Sequence, residues 1–165
     1  MNPALLKRTN RLMHLFQKSD LHSGTYARPL YELIELVGID EKAKTVIFES
    51  PVTEFQTNNI GSVHGGCLMT YIDIVTTIGI YTFSRDDKAT TSANITTDFM
   101  APGELGTTLS LVAKMDKIGK RLAFSSAEIY SKESNQLVAK GSHIKAFLPM
   151  DFKGIKDLKD EDFLI

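Results

Sequence analysis

The sequence predicts an α+β fold in which one long apolar helix is wrapped by an antiparallel sheet of about six strands, with a further helix at the N-terminus. Three observations carry this. Residues 66–83 form a nearly unbroken apolar run of helical length. Two short β-rich runs precede it and four follow it. Helices and strands are thus segregated along the chain, which builds an α+β domain rather than an alternating βαβ one.

Taken in order, residues 1–19 carry Lys7, Arg8, Arg11 and Lys18 with no acidic residue, and Leu5, Leu12 and Phe16 share one face at helical spacing. An amphipathic helix packed on the domain is the favoured reading. The same basic amphipathic character suits a mitochondrial transit peptide, so a cytoplasmic location is expected with a mitochondrial one as the alternative. Residues 20–31 read as a loop broken by Gly24 and Pro29. LIELVGI and TVIFESPV, joined by the polar DEKAK, read as a hairpin. Residues 54–65 form a polar loop before the apolar helix.

Residues 84–88 end that helix and lead into TTSANITTDFM, where Ser92, Asn94, Thr96 and Asp98 alternate with Ala93, Ile95, Thr97 and Phe99 at strand period. A Pro/Gly loop over 101–106 precedes three strands, 108–118, 122–131 and 137–148. Their short connections, 119–121 and 133–135, argue for an antiparallel meander. The chain divides into an N-terminal helix and loop (1–30), a main domain (31–148) and a Lys- and Asp-rich surface tail (149–165).

A chain of 165 residues with 42% hydrophobic and 24% charged residues is one ordinary globular domain. Its formal charge of −1 gives no electrostatic footprint for nucleic acid, although a phosphate-bearing small ligand needs only a few local cations. Cys67 is the single cysteine, so neither an internal disulfide nor a cysteine-only metal site can form. His14, His22 and His143 show no ligand spacing with acidic residues, and no metal or cofactor is expected. The 66–83 run is interrupted by Asp73 and several threonines and lacks basic flanks, which makes it a core helix and not a membrane span. A sheet covered on one face by one helix leaves edges exposed, and pairing between two copies would relieve them.

The candidate chemistry starts from Asp73. At 100° per residue Gly66, Thr70, Asp73 and Thr77 fall on one line, a polar stripe among Leu68, Met69, Ile72, Val75 and Ile78. An unpaired buried carboxylate is costly. Asp73 either accepts hydrogen bonds from nearby hydroxyls and backbone groups or acts as a base or nucleophile. Gly65 and Gly66 stand where the first N–H groups of a helix have no intrahelical partner, and glycine lets a ligand oxygen come close. With the Asn58 amide they supply donors for a developing oxyanion. His64 could orient a carbonyl, carry a proton near neutral pH or cap the helix. No G-x-S-x-G elbow occurs, and Cys67 has no evident histidine partner, so side-chain nucleophiles other than a carboxylate are weakly supported.

The run N-x-x-G-x-x-H-G-G over 58–66, the Asp nine residues after His64 inside an apolar helix, and a strand ending in M-A-P-G-E-L-G resemble the hotdog-fold acyl-CoA thioesterase superfamily, in particular its phenylacetate-type branch. The similarity covers roughly residues 31–148. It implies a hotdog fold and hydrolysis of fatty-acyl- or aryl-CoA thioesters. Asn58 and the Gly65 N–H would polarise the carbonyl, Asp73 would be general base or nucleophile, Ser92 would help hold the attacking water and His64 would position the thioester. Gly66, Thr77 and Phe99 are further substrate-contacting candidates. Lys117, Gly119, Lys120 and Arg121 match the segment that lies along the nucleotide of coenzyme A; by residue type alone they could equally be a solvated hairpin turn. The resemblance also implies a homodimer with the site split between subunits, and often a homotetramer. A non-catalytic acyl-CoA-binding module and a hydratase or dehydratase are the competing expectations.

Overall fold

Nineteen residues, Gly65–Phe83, form the helix about which the chain is arranged (α3); twelve of them are buried. A computed structural model describes residues 2–18, 24–84 and 87–152. Two helices precede α3, α1 (Pro3–Lys18) and α2 (Arg28–Leu33). The strands are β1 (Glu35–Asp40), β2 (Thr45–Pro51), β3 (Lys88–Phe99), β4 (Thr108–Ile118), β5 (Leu122–Ser131) and β6 (Leu137–Asp151). They form one antiparallel sheet in the order β1-β2-β4-β5-β6-β3. The meander β4-β5-β6 is the expected one. It is flanked by β2 on one side and on the other by β3, which crosses over to become an edge.

The sheet curls around α3 because its inner face is built of residues that fit a close helix. Leu109, Leu111, Ala113 and Met115 of β4 and Ala123, Ala127 and Ile129 of β5 are buried against Ile72, Val75 and Ile78. At Gly141 of β6 the fit is closest: a β-carbon there would lie 2.3 Å from the Thr96 carbonyl oxygen and 2.9 Å from Ile72 Cδ1. Only glycine lets backbone and helix approach this far.

Helix α1 packs on α3 through a buried hydroxyl pair, Thr9 Oγ1 to Thr82 Oγ1 at 2.9 Å, and through Arg8, which donates to the Tyr81 carbonyl and pairs with Asp87 at 2.7 Å. Of the three apolar residues assigned to its inner face, Leu12 and Phe16 are buried and Leu5 is half-buried.

Three expectations are corrected. Residues 28–33 were read as loop or strand entry and are helix α2, started by Pro29 in its first turn, where proline lacks a partner-requiring N–H. Strand β6 continues three residues beyond 148, and Phe152 then packs on Phe16 and Tyr81 with ring centroids 5.6 and 5.3 Å apart. The start of the tail therefore closes over the α1–α3 junction; residues 19–23 and the tail beyond Phe152 lie outside the described residues. The third correction concerns β3. Its register shifts between Ser92 and Asn94, leaving Ala93 as the extra residue of a bulge. Ser92 pairs with Lys145, and Ile95 with His143, so Ser92 shares the helix-facing side with Ile95 and Thr97 rather than with Asn94 and Thr96. The period-2 reading ran through the bulge and lost its phase.

Candidate active site

Helix α3 is not covered all round. Met69 is exposed, and Thr70 and Asp73 are half-buried, along the stripe that begins at Gly66. The Asp73 side chain is 45% exposed, not the buried acid that the apolar run suggested. Its Oδ1 atom is held from three sides. Lys145 Nζ donates to it at 3.3 Å, Thr77 Oγ1 donates at 3.3 Å, and His143 Nε2 stands 3.6 Å away.

Lys145 and His143 arrive from β6 and are almost fully buried. Lys145 Nζ also donates to Thr77 Oγ1 at 3.0 Å and to Ser92 Oγ at 3.4 Å. His143 Nε2 meets Ser92 Oγ at 2.9 Å, and its Nδ1 meets Thr76 Oγ1 at 2.7 Å. Burial, more than the neighbouring Lys145 charge, pushes the His143 pKa down to about 4. Burial likewise lowers the Lys145 ammonium, against the opposing pull of Asp73. The structure thus brings Asp73, Thr77 and Ser92 into one cluster and adds two residues that the sequence reading had not assigned. The signal was available: on strand β6, Gly141, His143 and Lys145 occupy alternate, inward-facing positions, where two ionisable side chains are out of place unless they meet a partner.

A second group of donors lies at the N-terminus of α3. His64 caps the helix, its Nδ1 accepting from the Gly66 N–H at 2.9 Å. That consumes one of the two glycine donors and leaves the imidazole Nε2 as the donor facing outward. Among the described residues the Gly65 N–H has no acceptor. Gly65 faces the ring of Phe99, which a β-carbon would meet at 3.2 Å. Asn58 is half-buried and Asn59 exposed. The Asn58 Oδ1 atom accepts from Ile60 N at 3.0 Å and Ser62 N at 3.3 Å, so the carbonyl end folds the turn and the Nδ2 end is the one that can donate outward. Nδ2 gives one hydrogen to Ser62 Oγ at 3.1 Å and has a second. Gln56 holds this loop to the core by donating to the Tyr71 hydroxyl, which also meets Ser50 Oγ at 2.7 Å.

The two groups do not meet within one chain. Gly65 and Asp73 are eight residues apart on one helix, about 12 Å along its axis at 1.5 Å per residue.

The third candidate group, Lys117, Gly119, Lys120 and Arg121, sits at the β4–β5 turn. With Leu122, Phe124, Ala146 and Phe147 it lines an open groove of about 550 Å³. Lys117, Lys120 and Arg121 have no ion-pair partner among the described residues.

A family model described as the thioesterase superfamily matches residues 60–138, the span that holds His64, Gly65, Asp73 and Ser92. Human acyl-coenzyme A thioesterase 13 is 35% identical over 100 residues, covering 61% of this chain and 71% of that protein. The chain belongs to the thioesterase superfamily. The crystal structure of zebrafish thioesterase superfamily member 2 superposes with a TM-score of 0.72 at 25% identity, over 87% of this chain and 96% of that one. The PaaI protein of the E. coli phenylacetic acid degradation operon, at 21% identity and TM-score 0.71 over 90% and 98% of the two chains, shares the fold. The fold is accordingly the hotdog fold, and the superfamily makes this chain a thioester hydrolase. In this thioesterase Cys67 is no rival nucleophile: burial pushes its thiol up to about 12, so no thiolate is present at neutral pH.

Proposed function

We propose that the chain hydrolyses acyl-coenzyme A thioesters by attack of water, with Asp73 as general base and Gly65 N–H, Asn58 Nδ2 and His64 Nε2 as donors to the thioester. One observation carries this reading above the others. The single carboxylate on the polar stripe of α3 has one oxygen fixed by Lys145 and Thr77 while the side chain stays half open to solvent. The open side leaves the carboxylate accessible to a water while Lys145 and Thr77 fix its orientation.

A water held at Asp73 gives a proton to the carboxylate as its oxygen bonds to the carbonyl carbon, and the C=O pair moves onto oxygen, where the Gly65 and Asn58 donors stabilise it. Collapse breaks the C–S bond, and the proton passes from Asp73 to the departing thiolate. Free acid and coenzyme A result. The cationic, apolar-floored groove at 117–121 suits the phosphates and adenine of coenzyme A.

Because the donors and the base lie about 12 Å apart along one helix, the working unit is a dimer in which the donor loop of one copy faces Asp73 of the other. The exposed edge of β3 is its natural seam.

Release of coenzyme A thiol over a panel of short, medium, long and aryl acyl-CoA esters tests the reading. Wild type releases thiol on at least one class, and Asp73→Ala loses on the order of a hundredfold or more of that rate. Full activity in Asp73→Ala would sink the mechanism. Ester binding with no thiol release from the wild type would identify a binding module instead.

A further inference from the structure

Around Ser92 the direction of every hydrogen bond is set by one group that can only accept. Thr76 Oγ1 lies 2.6 Å from the Ile72 carbonyl oxygen, and a carbonyl has no proton to give, so the threonine hydroxyl donates there. Its proton spent, the same oxygen accepts from His143 Nδ1 at 2.7 Å, which places a hydrogen on Nδ1. His143 is fully buried, and burial with the nearby ammonium keeps it neutral at pH 7, so the ring holds one hydrogen and Nε2 is bare. A bare nitrogen accepts. The Ser92 hydroxyl, 2.9 Å away, therefore donates to it. Lys145 Nζ has donors only, and at 3.4 Å it occupies one lone pair of Ser92 Oγ. One lone pair is left, and no proton.

We propose that Thr76 and His143 are positioning residues that make Ser92 a hydrogen-bond acceptor, so that the attacking water sits between two acceptors, Ser92 Oγ and the Asp73 carboxylate. This rests on the hydrolase reading above. A water with both hydrogens directed at acceptors turns a lone pair outward, the orientation a nucleophile needs. A serine that donated would draw on one of the water's two lone pairs and make it a poorer nucleophile. During the step only the hydrogen facing Asp73 moves; Ser92 and His143 keep theirs. Lys145, spanning Thr77, Asp73 and Ser92, sets the distance between the two acceptors.

The test separates tautomer from turnover. Nitrogen-15 NMR of the imidazoles in the full-length protein, with the His143 signals assigned by their loss in His143→Gln, reads which ring nitrogen is protonated without any substrate. At neutral pH the expected pattern is Nδ1 protonated and Nε2 bare; the reverse pattern in the wild type overturns the proposal by itself. Thr76→Val removes the acceptor for Nδ1–H and should move the hydrogen to Nε2, where Ser92 and Asp73 can receive it. In that variant kcat should fall on the order of tenfold to a hundredfold with KM little changed, and Thr76→Ser should restore both tautomer and rate. A Thr76→Val protein that has switched tautomer but keeps wild-type kcat refutes the link to catalysis. Should Asp73→Ala retain thiol release, the hydrolytic mechanism fails while the tautomer result stands or falls independently.

Discussion

Burying a neutral histidine makes the fold sensitive to acid in a defined window. His143 has an ordinary value of 6.5 and is pushed down to about 4 in the folded chain, first by burial and then by Lys145, with Asp73 pulling the other way. Those are the charged groups that face it, from β6 and α3; its other neighbours are the hydroxyls of Thr76 and Ser92, and Ser125 of β5, which donates to its backbone carbonyl. Because the folded value lies below the unfolded one, the unfolded chain binds more protons between them, and stability is lost as the pH is lowered across that interval. Integrating proton uptake for this one site from about pH 7 down to about pH 4.5 gives a loss of roughly 2 kcal/mol. Carboxylates titrate over part of the same range, so the quantity to measure is a difference. Urea unfolding of wild type and His143→Gln at both pH values, at one fixed protein concentration since the proposed dimer would make stability concentration-dependent, should show the wild type losing about 2 kcal/mol more than the variant. Parallel losses in the two proteins would show that His143 is already protonated in the fold, or is not buried as described.

Other outcomes follow from the site and the core. Asn58→Asp keeps the Oδ1 acceptor that folds the 58–62 turn and loses the Nδ2 donor, so kcat for thiol release should fall on the order of a hundredfold with little change in KM. Gly141→Ala drives a β-carbon against the Thr96 backbone and Ile72 and should cost about 2–4 kcal/mol in denaturant unfolding. Gly79→Ala meets only the flexible end of Met115 and gains helix propensity, so it should cost under about 1.5 kcal/mol. Removing Lys120 and Arg121 together should raise KM several-fold for coenzyme A esters, less so at high salt, and leave KM unchanged for a truncated thioester lacking the nucleotide.

Much of this was legible in the residues. The apolar run of 66–83 gave α3 to within one residue, and the hairpin 35–51 and the meander 108–148 followed from period and turn chemistry. The misses share a physical cause: each depended on a contact distant in sequence. The bulge at Ala93 is a matter of how β3 meets β6, and no local pattern announces it. Asp73 was expected to be buried because its neighbours are apolar, yet burial depends on what covers the stripe, and one chain leaves part of it open. By its place in the first turn Gly66 reads as a free donor, yet its N–H is capped by His64. Nothing local marks His143 or Lys145, whose partners lie 51 to 72 residues away.

The bulge also bears on how two copies would join. Within one chain Ser92 belongs to the Asp73 cluster through Lys145 and His143, while Phe99, seven residues along the same edge strand, packs on Gly65. Strand β3 therefore meets the base cluster at Ser92 and the donor loop at Phe99, the two groups that α3 holds about 12 Å apart. Antiparallel pairing of two β3 edges about a twofold axis near residues 95–96 lays Ser92 of each copy beside Phe99 of the other. The same operation would bring each donor loop toward the opposite Asp73, as the proposed split site requires. Mixed dimers of Asp73→Ala and Asn58→Ala test this arrangement. Each variant alone is nearly inactive, but a mixed dimer holds one site with both lesions and one with none, so equal mixing with subunit exchange should recover about a quarter of wild-type activity. Exchange that is demonstrated by mass and still yields no recovery would mean that each site is assembled within a single subunit, and the seam along β3 would have to be abandoned.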